Sequence, residues 1–64
     1  MNGTIKTLNL AKGYGFILGE DGREYFFHRS ACLNADFASL EEKDNVTFKA
    51  GKGPKGPRAE DVYV

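Results

Sequence analysis

The stretch KGYGFILGEDGREYFFHRS, from Lys12 to Ser30, decides how this chain folds. Two runs rich in aromatic and aliphatic side chains flank a centre of glycine and acidic residues, the signature of a β-hairpin. Successive residues of a strand point to opposite faces, so Tyr25, Phe26 and Phe27 cannot all enter one core. At least one large aromatic is turned outward, and the register of the turn decides which.

Two registers compete. A two-residue type I′ turn at Asp21-Gly22 sets Phe16 opposite Phe27 and Leu18 opposite Tyr25, gathers those four in a core and leaves Phe26 outside. A three-residue loop at Glu20-Asp21-Gly22, with Gly22 in the left-handed position of a bulge, sets Phe16 opposite Phe26, Tyr14 opposite His28 and Leu18 opposite Glu24. Ile17, Tyr25 and Phe27 then go inside with Gly15. Polarity favours the second. It places Lys12, Glu24 and His28 on the side that water reaches and keeps the other side free of charge from Gly13 to Phe27. The outer face then carries Lys12, Tyr14, Phe16, Phe26 and His28. Such a face has little structural use and an evident chemical one: nucleobases stack on aromatic rings while lysines track phosphates.

Working outward, eight glycines and scattered turn signals argue for short strands. The reading is five strands near residues 3–10, 13–19, 23–29, 45–50 and 58–63, with a single helical turn near Ser30–Leu33 that Ser30 caps. GKGPKGP (Gly51–Pro57) reads as an exposed loop, since its glycines and prolines oppose regular pairing. Strands this short, without crossover helices, indicate an all-β antiparallel meander closed into a small barrel. The chain of 64 residues accommodates one domain, over 1–64, and a chain of this length buries only about 60% of its unfolded surface.

The formal net charge is zero, so attraction for phosphate has to come from how charges are placed. A lone cysteine, Cys32, and a lone histidine, His28, exclude an intramolecular disulfide and argue against structural zinc. Neither a signal peptide nor a membrane span is recognisable. His28 lacks an evident nucleophile and orienting carboxylate, and there is no phosphate-binding loop, so no catalytic residue, metal or cofactor is expected.

KGYGFI (Lys12–Ile17) resembles the first ribonucleoprotein motif, and YFFHRS (Tyr25–Ser30) the second, in the order and spacing of the cold shock domain family. The resemblance extends over Gly3-Thr4-Ile5-Lys6, Asn9, Phe37, Leu40, Val46, Phe48 and Gly56-Pro57. An RNA recognition motif has the two motifs in the reverse order and needs two helices for which there is no room. The resemblance implies a five-stranded Greek-key barrel of the oligonucleotide-binding (OB) fold, cold-shock type. Carried over by position, it makes Tyr14, Phe16, Phe26 and His28 base stackers, adds Phe37 from the long loop, and gives Lys6, Lys12 and Lys55 as cations facing the backbone. It implies a cytoplasmic RNA chaperone that binds single-stranded RNA or DNA, as a monomer or weak homodimer, with no membrane and no small-molecule cofactor.

The chain departs from the pattern in strand one, where the family usually carries tryptophan and phenylalanine and this sequence has Thr7 and Leu8. The position after the histidine, usually aromatic, is Arg29, whose guanidinium plane can itself stack on a base and attract phosphate. Cys32 takes the place of a buried aliphatic side chain. These departures imply a weakened or altered site, and they leave a second reading in play: a protein-interaction barrel with weak or lost nucleic-acid binding.

Overall fold

The computed structural model describes residues 1–54 and 56–64. Among them lie five strands: β1 (Asn2–Asn9), β2 (Tyr14–Gly19), β3 (Glu24–His28), β4 (Asn45–Gly53) and β5 (Gly56–Tyr63). They close into a barrel in the order β1-β2-β3-β5-β4.

The β2–β3 hairpin takes the three-residue loop. Tyr14 lies opposite His28, Gly15 opposite Phe27, Phe16 opposite Phe26, Ile17 opposite Tyr25 and Leu18 opposite Glu24. Gly19 and Arg23 close the loop through an N–H···O bond of 2.8 Å, and Gly22 between them has φ = 82°, a backbone conformation that costs glycine little. Asp21 fastens the turn to the core. Its carboxylate accepts from the Tyr25 hydroxyl at 2.6 Å and from the Arg23 backbone N–H at 3.1 Å.

Alternation along the hairpin then fills the barrel. Ile17 and Phe27 are fully buried and Tyr25 nearly so, and they join Ile5, Leu40, Val46, Phe48, Ala59 and Val62 in one core. Gly15 is required by space: a Cβ there would stand 2.6 Å from the Thr7 carbonyl oxygen and 2.9 Å from the Phe27 ring. The strand-two backbone therefore passes close over the ring that anchors the core.

Three sequence expectations are corrected. The strands do not form a simple antiparallel meander: the long connection from Arg29 to Asp44 carries the chain across to pair β4 with β1, and β5 returns beside β3 in parallel, with Phe26 facing Arg58. Most of the GKGPKGP segment is strand where a loop was expected: Gly51 to Gly53 end β4, and Gly56 and Pro57 open β5. The β4–β5 ladder continues through it, with Gly51 opposite Arg58, Lys52 opposite Pro57 and Gly53 opposite Gly56. Pro57 is tolerated because it sits near the start of β5, where a missing ladder donor does least harm. Finally, the helical turn spans Arg29–Ala31, and its cap is His28 rather than Ser30; the imidazole Nδ1 accepts the Ser30 backbone N–H at 3.1 Å.

Two outcomes follow from this packing. Phe27→Ala removes a fully buried ring and should cost about 3–5 kcal/mol in denaturant unfolding. The Tyr25 hydroxyl, aided by the Arg23 N–H, holds the Asp21 carboxyl below its ordinary value of 3.8. A depressed folded-state value means that the stabilisation is present above the unfolded value and lost as pH falls through the folded one. Asp21→Asn should thus lower the melting temperature at neutral pH, and the gap from the unaltered protein should close on acidification below about pH 4. A gap that stays constant into strong acid contradicts the assignment.

Candidate nucleic-acid interface

The register that buries Ile17, Tyr25 and Phe27 forces Tyr14, Phe16 and Phe26 onto the outer face of β2 and β3. There the three rings pack on one another: Tyr14–Phe16 with centroids 6.3 Å apart at 90°, Tyr14–Phe26 at 5.6 Å and 33°, Phe16–Phe26 at 5.8 Å and 71°. Each is half-buried rather than fully exposed, because its neighbours cover part of it. Offset and edge-to-face contacts of this kind are worth about 0.5–1.5 kcal/mol each, so the cluster is pre-organised yet keeps aromatic surface open to solvent. Leu18, more exposed, continues the face along β2.

His28 borders the cluster opposite Tyr14. Its Nδ1 lies 2.9 Å from the Ser30 hydroxyl and accepts the Ser30 N–H, so this nitrogen carries a lone pair, the hydroxyl donates to it, and in the neutral ring the proton sits on Nε2. The imidazole is thereby fixed in orientation and offers an N–H donor at its far edge. Arg29 follows, exposed, with its Cδ lying against Gly13 and its backbone N–H bound to the Gly13 carbonyl at 2.8 Å. The β1–β2 turn that carries exposed Lys12 is organised by Asn9, whose side-chain oxygen accepts the Lys12 N–H at 3.1 Å and whose amide donates to the Tyr14 hydroxyl at 3.3 Å.

The remaining sequence-selected residues are placed differently. Lys6 is the extra residue of a bulge in β1, between Ile5 opposite Ile17 and Thr7 opposite Phe16, and its ammonium pairs with Glu24 at 2.8 Å. Both partners are about half exposed, so the pair is worth little and a phosphate can compete for the lysine. Phe37, in a short 3-10 turn (Phe37–Ser39), is half-buried and packs on the core ring of Phe27 at 5.7 Å rather than on the outer cluster. Lys55 lies outside the described residues. In strand one, Thr7 is exposed next to Phe16, whereas Leu8 packs against the core; only Thr7 therefore stands where an outer platform is missing. Cys32 also packs against the core, and burial pushes its thiol above its ordinary value, away from nucleophilic chemistry.

Sequence reasoning missed one part of the surface. A cleft of about 530 Å³ opens between Phe16 and Phe26 on one side and the β4–β5 hairpin on the other, walled by Gly53, Pro54, Gly56 and Pro57, with Glu24 and Arg58 at its margin. Its location depends on the parallel β3–β5 contact, for which local sequence carries no signal. The buried Ala59 turns Arg58 away from the core, but nothing local sets it beside Phe26. Among the described residues no group of three or more His, Cys, Asp or Glu side chains is placed to hold a metal ion. No helix among them is long and apolar enough to cross a membrane.

A five-stranded closed barrel with an aromatic cluster on its strand-two and strand-three face, and with Lys12 before the first of these strands and Arg29 after the second, has the arrangement of a nucleic-acid-binding barrel of the cold-shock type. The family model described as the 'Cold-shock' DNA-binding domain matches residues 1–64. Cold shock protein 1 of Lactiplantibacillus plantarum is 49% identical over 61 residues, covering 95% of this chain and 92% of that protein. The major cold shock protein CspA of Pseudomonas aeruginosa is 43% identical over 63 residues, 98% and 91% of the two chains. The cold shock-like protein CspJ of Salmonella typhi is 43% identical over 65 residues, 100% and 93%. The chain belongs to the cold-shock DNA-binding domain family, a family of nucleic-acid-binding domains.

The hydrogen bonds at His28 set a direct expectation. Imidazole nitrogen NMR shifts of the neutral ring should show Nε2 protonated and Nδ1 bare, and Ser30→Ala should loosen that preference. A neutral ring with its proton on Nδ1 would contradict the geometry.

Proposed function

We propose that this chain binds single-stranded RNA and DNA with low sequence specificity and acts as a cytoplasmic RNA chaperone. The observation that carries the reading is the mutually packed Tyr14, Phe16 and Phe26 cluster on the outside of the barrel, with His28 beside it. Bases stack on the open ring surface, His28 donates through Nε2 to a base or phosphate acceptor, and Lys12 and Arg29 attract the backbone. Phe37 contributes whatever edge its contact with Phe27 leaves free. Lys6 contributes once phosphate displaces Glu24, and Lys55 is the further cation. A base held on the protein cannot pair, so binding favours the single strand in proportion to its occupancy, and no nucleotide need be hydrolysed.

The rival reading, a protein-interaction barrel, draws on two observations: Thr7 offers no platform, and Lys6 is already paired. Titration with labelled heptathymidine or heptauridine separates them. Saturable binding is expected at low salt, and its absence would exclude the nucleic-acid reading.

Phe16→Ala and Phe26→Ala should each weaken binding by roughly tenfold to a hundredfold, corresponding to about 1–3 kcal/mol per base stack. Each should cost less stability than Phe27→Ala, because the ring removed is only half-buried. Loss of cooperative unfolding in either variant would mean the ring is core. With about three phosphate contacts, affinity should fall with salt at a log–log slope near −2.

A further inference from the structure

The cleft between the aromatic cluster and the β4–β5 hairpin holds one acidic and one basic side chain beside a ring. Glu24 and Phe26 are two apart on β3 and so share a face, and Arg58 adjoins Phe26 from the neighbouring strand. Both charged groups therefore flank the Phe26 platform. Lys6 pins one Glu24 oxygen, Oε2, at 2.8 Å, while a carboxylate retains further acceptor sites. The Arg58 stem lies along the hairpin, its Cδ 3.5 Å from where a Gly53 Cβ would be. Its Nε is shielded from water and has no hydrogen-bond partner among the described residues. A donor held out of water without an acceptor is unfavourable, so the guanidinium is held in place by packing against the hairpin and not by hydrogen bonds of its own among the described residues.

We infer that this cleft is the one base-selective seat on an otherwise sequence-tolerant surface, a seat for guanine, with Glu24 and Arg58 as the residues that read its edge. The inference rests on the single-strand-binding reading above. Guanine is the base whose pattern matches a carboxylate on one side and a guanidinium on the other. Its N1–H and N2–H groups donate, which suits Glu24, and its O6 and N7 accept, which suits Arg58. The two pairs of groups lie on adjacent edges of one planar ring, so both can be engaged while the ring stacks on Phe26; Phe16, inclined to it at 71°, then meets the base through an edge. Adenine reverses the pattern, presenting the N1 lone pair to the carboxylate and the N6 amine to the guanidinium. Uracil satisfies only part of it, through N3–H and O4. Neutral rings alone would not discriminate between bases, since every base has a π-face; it is the charged pair that supplies selection.

The test compares four heptamers in direct titration: heptauridine, and heptauridine carrying guanosine, inosine or adenosine at its centre. The guanosine heptamer should bind roughly tenfold more tightly than the adenosine heptamer, the scale of one good two-point base contact. Inosine, which lacks the N2 amine, should lie between them. Glu24→Gln and Arg58→Gln should each bring the guanosine and adenosine heptamers close to equal while heptauridine still binds. Release of Lys6 in Glu24→Gln should raise all four affinities together and leave their ratios to report on the seat. If either variant fails to unfold cooperatively, the inosine comparison on the unaltered protein decides instead. Equal affinity for guanosine and adenosine heptamers, with saturable binding of both, would overturn the guanine seat and leave the single-strand reading standing. No saturable binding of any heptamer would overturn both.

Discussion

Everything outside the barrel depends on how the β2–β3 hairpin is registered, and that register is held by one turn. Gly22 takes the left-handed conformation, Gly19 and Arg23 close the loop, and Asp21 ties it to Tyr25 through a short hydrogen bond. Because side chains alternate with a period of two, a slip of one residue would turn one strand over against the other. Ile17 would leave the core and Phe16 and Leu18 would be driven in beside Tyr25 and Phe27, so Phe16 and Phe26 would no longer share the outer face. The same constraint that buries the core thus creates the aromatic face. The rings there are neither waste hydrophobic surface nor free-standing: they hold one another in place, so little side-chain entropy remains to be lost when a ligand arrives.

The electrostatics refine what the rings begin. A chain of zero net charge cannot rely on a general field, and its cations are individually placed. Lys12 rides on a turn organised by Asn9, Arg29 lies across Gly13, and Lys6 is held by Glu24 until something better displaces it. The Lys6–Glu24 pair is exposed enough to exchange at small cost. Glu24, which the hairpin register puts on the side that water reaches, and Arg58, to which the sequence assigns no role, gain meaning only because β5 returns beside β3 and closes a cleft against the rings.

Local chemistry made the hairpin legible. Three consecutive aromatics, a glycine-bearing loop and a charge-free inner face suffice to derive the register from alternation and polarity alone, and the outer residues Tyr14, Phe16, Phe26 and His28 come with it. What failed was non-local. The parallel β3–β5 contact has no sequence period, so Arg58 was missed. The prolines and glycines of Gly51–Pro57 suggested a loop, although glycine is permissive of pairing and Pro57 sits where its missing N–H matters little. Leu8 reads as a lost outer platform until the bulge at Lys6 shifts the β1 register; it then belongs to the core, and only Thr7 remains as the gap. The helical cap at His28 was assigned to Ser30, because a serine is the commoner cap and an imidazole acceptor at that position is unusual.

The most direct measurement of the central claim is side-chain NMR during titration with heptathymidine. Stacking of bases on the outer face should shift the ring resonances of Tyr14, Phe16, Phe26 and His28 through the ring currents of the bases, along one saturable curve. The resonances of the core rings Tyr25 and Phe27 should stay nearly still. Saturable binding with those four rings unmoved, and shifts confined to another part of the barrel, would contradict it.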